Sequence, residues 1–430
     1  MQTKSNALSF SLLLFLLMML NVQTKAQMYV SGRFLYSQDG VKVIPRGLNE
    51  MFIYAGDKSG YNTYTEIKKT NSNMVRITWN TSGSAADLKN CIYNCITRGQ
   101  AIAMVTLNDA TGTISKVQTC VDYWKRSDVK AAMQDFKKWT ILNIANEAGD
   151  GNVSDQTFKD TYKSAISQLR TAGYTVPIVV DASTWGQDFE IIKRTWSEIF
   201  NSDNLRRTMF SVHTYWNAGG NDKINNLAND VKNNNIPFLI GEGPQQTGSN
   251  CNYSIDYKYA MQRFQENEIG WLAWSWGVVK NGDCQANRNF DITTDGIYGN
   301  WVNQWAKDII YFNSYSIQST SRKPASLTAS NPLARVAAVE YEPIPSKTDA
   351  EAFPNPANMF VTVPLPNDIG SDVQLEVIDM MGINVLKNSY SVEPCDRNLN
   401  VNVESLKKGN YILRTTRGEK NLSVKISIVD

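Results

Sequence analysis

Short runs of apolar, β-branched residues alternate with helix-like stretches from about residue 28 to residue 315. Eight runs stand out: residues 43–48, 74–79, 101–107, 140–145, 176–180, 209–214, 237–240 and 271–276. They are continuously apolar rather than alternating, as expected for strands buried on both faces of a parallel sheet covered by helices. Helical segments lie between them, for example residues 154–172 and 221–233. Eight strands alternating with helices predict an α/β fold, a (β/α)8 TIM barrel. A doubly wound nucleotide-binding sheet would need a glycine-rich turn after its first strand, and Gly47 stands alone there.

The pattern changes after Tyr315. Residues 318–352 are rich in Ser, Thr, Ala and Pro and hold no period, which predicts a linker. Period-two segments follow at 360–363, 373–378, 383–387, 399–403, 411–415 and 422–428, separated by turn residues such as Gly382 and Gly409-Asn410. They predict a small C-terminal antiparallel β-sandwich. At the other end, Lys4, the apolar run 10–20 and Thr24-Lys25-Ala26 have the layout of a cleaved signal peptide. The expected organisation is a signal peptide over 1–26, a barrel over 27–317, a linker over 318–352 and a sandwich over 353–430.

Composition narrows the function classes. A formal net charge of +2 on 430 residues gives no electrostatic reason to expect nucleic acid or a membrane surface as partner. One histidine and no CxxC pair argue against a metal site. Export permits disulfides among the six cysteines. Cys251 and Cys284 flank one late segment and are the candidate pair. Cys91 and Cys95 sit one helical turn apart, so Cys120 can bridge only one of them, and Cys395 belongs to the other domain.

In a TIM barrel the residues at the C-terminal ends of the strands face the active site. Here the runs end in Asn49-Glu50, Asn108-Asp109, Asn146-Glu147, Asp181 and Glu242, while the second contains Arg76, the sixth His213 with Tyr215, and the eighth carries Trp274 and Trp276. Glu147 and Glu242 follow the fourth and seventh runs, across the barrel mouth from each other. Two carboxyl groups facing one bond suit glycoside cleavage, one donating a proton and the other attacking carbon. On pattern alone, two ordinary strand-end acids paired with Lys or Arg remain an equal reading. There is no GxSxG elbow for a serine nucleophile, and Gly241-Glu242-Gly243 lacks the Lys and Ser/Thr of a phosphate loop.

Several ordered segments resemble glycoside hydrolase family 5 and, within it, the bacterial endo-β-1,4-mannanases. They are Asn108-Asp109-Ala110-Thr111-Gly112, Ile144-Ala145-Asn146-Glu147, Trp185-Gly186-Gln187, Val212-His213-Thr214-Tyr215, Leu239-Ile240-Gly241-Glu242 and Trp271-Leu272-Ala273-Trp274-Ser275-Trp276. The resemblance implies a retaining mechanism with Glu147 as acid/base and Glu242 as nucleophile. It further implies that Asn146 bonds the 2-hydroxyl of the sugar at the reacting centre and that Arg76 contacts the nucleophile. His213 and Tyr215 would orient the glutamates, and Trp274 would form the platform beneath that sugar. Trp276 is a further candidate sugar contact, as are Trp185 and Trp216, for both of which helix packing is an equal alternative. Asn108 stands where the family usually has a histidine, which bears on substrate preference.

The implied substrate is a β-1,4-linked polysaccharide, β-mannan first, with an endo-β-1,4-glucanase as the alternative and a non-catalytic glycan-binding protein as a third reading. No cofactor is implied, and a monomer is expected. Phe353-Pro354-Asn355-Pro356-Ala357, Met381-Gly382 and Gly409-Asn410-Tyr411-Ile412-Leu413 resemble the C-terminal sorting domain of the type IX secretion system of Bacteroidota. That implies the secretion machinery as a partner and a secreted or cell-surface location.

Overall fold

A computed structural model describes residues 27–246, 255–281, 290–330 and 332–333, and most of 352–429. It separates into two compact units, residues 1–337 and 338–430. The expected signal peptide and the cysteines Cys251, Cys284 and Cys395 lie outside the described residues.

The first unit opens with a small antiparallel sheet, β1 (Tyr29–Ser31), β2 (Phe34–Tyr36) and β3 (Lys42–Val43). Eight parallel strands then close into a barrel: β4 (Arg46–Glu50), β5 (Met74–Trp79), β6 (Ile102–Leu107), β7 (Thr140–Asn143), β8 (Ile178–Asp181), β9 (Thr208–His213), β10 (Phe238–Glu242) and β11 (Gly270–Ala273). Every residue of these eight strands is buried. The outer faces pack on helices and the inner faces fill the barrel. The helices start where their sequences supply caps. Ser154 accepts from Thr157 N ahead of helix Asp155–Thr171, and Asp188 accepts from Ile191 N ahead of helix Phe189–Ser202.

Two expectations are corrected here. The run 43–48 is not one strand. Lys42–Val43 pairs with β2, and the barrel strand begins only at Arg46. Pro45 lies between the two and has no N–H for a ladder, but its apolar ring hides the break in a hydrophobic run. The expected linker also begins too early. Residues 318–330 and 332–333 pack on the barrel unit. Helices Ile317–Thr320 and Ala325–Thr328 bury Ile317 and Leu327. Arg46 Nε donates to Thr320 Oγ1 at 3.1 Å, and Lys138 Nζ and Trp139 Nε1 both donate to the carbonyl of Pro332, at 2.9 and 3.1 Å.

The second unit has two sheets around its own core. One pairs β12 (Phe360–Pro364) with β15 (Asn398–Asn402). The other runs β14 (Asn384–Ser391), β13 (Asp372–Asp379), β16 (Gly409–Arg417), β17 (Lys420–Ile428). All pairings are antiparallel. Val361, Val363, Val373, Leu375, Val401, Leu413 and Ile426 meet in the core, with polar residues alternating outward, as period two requires.

Candidate active site

The barrel mouth draws polar side chains from six strands onto one point. Glu242 is the last residue of β10 and is buried. Its Oε1 accepts from Arg76 Nη1 at 2.8 Å and its Oε2 from Tyr215 Oη at 2.7 Å, so each oxygen has its own donor. Glu147 stands across from it, four residues beyond the end of β7. Its Oε1 lies 2.6 Å from His213 Nδ1, and its Oε2 accepts from Asn146 Nδ2 at 3.3 Å. His213 Nδ1 is also 3.5 Å from Glu242 Oε1. One oxygen of each glutamate and one ring nitrogen of His213 all fall within 4.8 Å of one another. Those three side chains could in principle hold a cation, yet the imidazole nitrogen and Glu147 are already engaged with each other.

The backbone around this pair is unusual. Glu147 has φ +48°, and Thr184 and Trp185 in the facing loop have φ +55° and +50°. Non-glycine residues in the left-handed region cost about 1 kcal/mol or more each and persist where surrounding structure fixes them. Gly186 shows why the loop can come so close. A Cβ there would lie 2.8 Å from the His213 ring and 3.1 Å from Glu147 Cγ.

Arg76 is the hub. It is the third residue of β5, fully buried, and points into the barrel. Its guanidinium donates to Asn143 Oδ1 at 3.0 Å, Asn49 Oδ1 at 3.2 Å, Asn146 Oδ1 at 2.7 Å, Asp181 Oδ2 at 3.0 Å and Glu242. A fork with five donors in fixed directions is what lets one cation organise a ring of acceptors. Asp181 in turn accepts from Asn143 Nδ2 and from the Glu147 N–H. Burial and the nearby charge of Glu242 push the Glu147 carboxyl above its ordinary range, against the pull of the His213 bond. Burial alone would lower the His213 imidazolium. The charges of Glu242 and Asp181 and the bond to Glu147 outweigh it and move it upward.

Above these groups opens a cavity of about 270 Å3, lined by Asn146, Glu147, Trp185, Gln187, Tyr215, Glu242, Trp274 and Phe290. Arg76 and His213 lie beneath it, fully buried. Trp185 is 48% exposed, a ring free to meet a ligand. Trp276 is not such a ring, which corrects its place among the sugar contacts. It is fully buried, donates Nε1 to Gly296 O at 2.9 Å and packs edge-on against Trp301. Strict alternation would put Trp274 and Trp276 on one face, but β11 ends at Ala273, and in the irregular segment beyond it Trp274 lines the cleft while Trp276 enters the core. Trp216 is also buried, with Nε1 donating to Gln187 O at 3.1 Å. Asn108 is half-buried and turns its amide to Tyr54 Oη at 2.8 Å. Asp181 and Asn143 belong to the same network. Asp181 was legible as a polar strand end. Gln187 ends the Trp185-Gly186-Gln187 segment of the resemblance but had no role assigned to it, and Phe290 sits in a loop and gave no sequence signal.

Comparison with known proteins agrees with this geometry. The profile for Cellulase (glycosyl hydrolase family 5) matches residues 36–280, and the Secretion system C-terminal sorting domain matches residues 351–429. The Mannan endo-1,4-beta-mannosidase of Cellvibrio japonicus (strain Ueda107) is 30% identical over 71% of this chain and 71% of its own length. That of Salipaludibacillus agaradhaerens is 29% identical over 71% of this chain and 97% of its own. Among solved structures, the catalytic domain of the mannanase from Streptomyces sp. SirexAA-E is 25% identical with a TM-score of 0.62, covering 71% of this chain and 96% of that domain. A barrel matched by a profile over more than half of the chain leaves little choice, and the chain belongs to glycoside hydrolase family 5, with a type IX secretion sorting domain at its C-terminal end.

Proposed function

We propose that the protein is an exported, retaining endo-β-1,4-mannanase that works through Glu147 and Glu242. The observation that carries the mechanism is the spacing of the two glutamates, with oxygens within 4.8 Å of each other. Retaining enzymes hold their carboxyl groups roughly 5–5.5 Å apart, whereas inverting enzymes leave about 6.5–9.5 Å for a water. The surroundings divide the roles. Glu147, raised by burial and by Glu242, keeps its proton and gives it to the glycosidic oxygen as the bond to the anomeric carbon breaks. Glu242, aimed by Arg76 and Tyr215, attacks that carbon and forms a glycosyl ester. Glu147 then takes a proton from water, the water attacks the same carbon, and Glu242 is released. Two displacements give net retention.

Asn146, Tyr215 and Trp274 hold the sugar at the reacting centre, and Trp185 offers a stacking ring to its neighbour in the chain. Asn108, linked to Tyr54, contributes a polar edge where the family usually has a histidine. Mannan is the favoured polymer because both curated relatives act on it by name. The second reading is a β-1,4-glucanase, in keeping with the name of the matched family. The enzyme works as a monomer without cofactor. It leaves the cytoplasm by a signal peptide ending near residue 26, and the type IX machinery recognises its C-terminal domain.

Hydrolysis of β-mannan with little action on carboxymethylcellulose is the expected outcome, with the β-anomer appearing first by proton NMR. Glu242→Ala and Glu147→Ala each cut turnover by about 10³-fold or more. On an aryl β-mannoside, azide rescues the Glu242 variant as the α-azide. Early α-anomer from the wild-type enzyme, or near-normal rates in both variants, would refute the mechanism. Activity confined to the glucan would replace the substrate.

A further inference from the structure

Glu50 is a buried acid that the two-glutamate mechanism does not use. It ends β4, its side chain is fully buried, and among the described residues it has no ion-pair partner. Three backbone N–H groups take the place of a cation. Oε1 accepts from Met51 N at 2.7 Å, and Oε2 accepts from Gly277 N at 3.0 Å and Val278 N at 2.8 Å. Two of these donors belong to the strap that follows β11, in a segment 227 residues away along the chain. Both oxygens act only as acceptors, as a carboxylate allows. An amide in the same place would turn an NH2 group toward an N–H donor. Burial pushes the Glu50 carboxyl up to about 7, with the N–H groups pulling it back.

The strap leads from these bonds to the cleft. Gly277 fixes its first turn. Its φ is +101°, and a Cβ would come within 2.4 Å of Thr293 O. Four residues on, Asn281 closes the strap against the tryptophan that lines the cavity. Asn281 Oδ1 accepts from Trp274 Nε1 at 3.0 Å, and its Nδ2 donates to Ser275 Oγ and Asp291 Oδ1, both at 2.8 Å. Lys280 Nζ adds a bond to Gly277 O at 2.9 Å and ties the middle of the strap to its root. The indole of Trp274 thus has a fixed plane because its one polar atom is held, and the residue that holds it is carried on a segment clamped by Glu50.

We propose that Glu50 is a positioning residue for sugar binding, setting the plane of Trp274 through the strap 277–281. The proposal rests on the reading of this cleft as a sugar site, and it adds a residue of the first barrel strand to the control of that site. A double-mutant cycle tests it, using the full chain with Glu50→Gln, Trp274→Ala and both together. Glu50→Gln raises KM on a mannan oligosaccharide by roughly fivefold to tenfold and changes kcat less. In the Trp274→Ala background the same change has little further effect, because the ring it positions is gone. Asn281→Ala breaks the path at its other end, leaves the Glu50 bonds intact, and gives the same non-additivity if Glu50→Gln does not fold.

Multiplying effects of Glu50→Gln and Trp274→Ala would overturn the proposal, as would an unchanged KM in both Glu50→Gln and Asn281→Ala. Retardation in gels containing mannan or glucan reads the same cycle without turnover. A wild-type chain that is retarded yet cleaves neither polymer would therefore refute the enzyme reading and still decide on Glu50.

Discussion

Glu147 and Glu242 carry the same functional group in unlike settings. Two donors point at Glu242, one to each oxygen. Glu147 has the His213 ring on one oxygen and a long bond from Asn146 on the other, and it lies under the charge of its partner. The difference predicts a titration. Folding raises the Glu147 pKa, so the acid stays protonated at a pH where a free glutamate would ionise, and activity extends further toward neutral pH before its basic limb falls. Glu242→Gln removes the like charge, and the Glu147 pKa moves down toward the ordinary glutamate value. Carbon-13 NMR of the labelled carboxyl groups checks this. An unchanged or higher Glu147 pKa in the variant would mean that burial alone sets it. The identity of the polar strand ends was readable from the chain, because each follows an apolar run. The hub role of Arg76 was not, because five acceptors from four separate segments reach it only after closure of the barrel.

At the level of elements, the eight strands were legible because parallel strands buried on both faces leave unbroken apolar runs. Their ends were less so. Trp274 and Trp276 look alike in a hydrophobic run, and only their placement just beyond β11 separates a cleft ring from a core ring. The segment 318–333 misled for the opposite reason. Its contribution comes mostly through Thr320, Arg322 and Pro332 oxygens, which accept from Arg46, Asn73, Lys138 and Trp139, while buried Leu327 and partly buried Leu333 are its large apolar anchors. Composition sees Ser, Thr, Ala and Pro there and reads a linker. Truncation after residue 317 strips these acceptors from buried donors, each worth about 1–3 kcal/mol when left unsatisfied. A barrel ending at 317 therefore melts roughly 5–10 °C below one ending at 333, by calorimetry. Equal melting temperatures would return the segment to the linker.

Across the whole molecule the two units divide the work. The barrel unit carries the glutamates, and the sorting domain has a separate core. Removing residues 352–430 leaves kcat/KM of the purified enzyme within about twofold, since each unit buries its own apolar residues. In a host with the type IX system the same deletion keeps the enzyme inside the cell, by activity in washed cells against medium. A large loss of activity in the purified truncation would show that the domain serves the site. Cys91, Cys95 and Cys120 are free and buried, and burial raises all three thiols, Cys120 to about 12. Such thiols resist oxidation once the barrel has closed.

The small sheet β1–β3 lies at the opposite end of the barrel from the glutamates. Met28, Leu35 and Val43 enter the barrel core there, Arg33 donates to Asn267 O just before β11, and Gln27 bonds Thr175 just before β8. Anything attached ahead of Gln27 thus emerges from the floor. Immobilising the enzyme on a bead through that end would leave its open face turned outward, toward an insoluble polymer too large to diffuse to it.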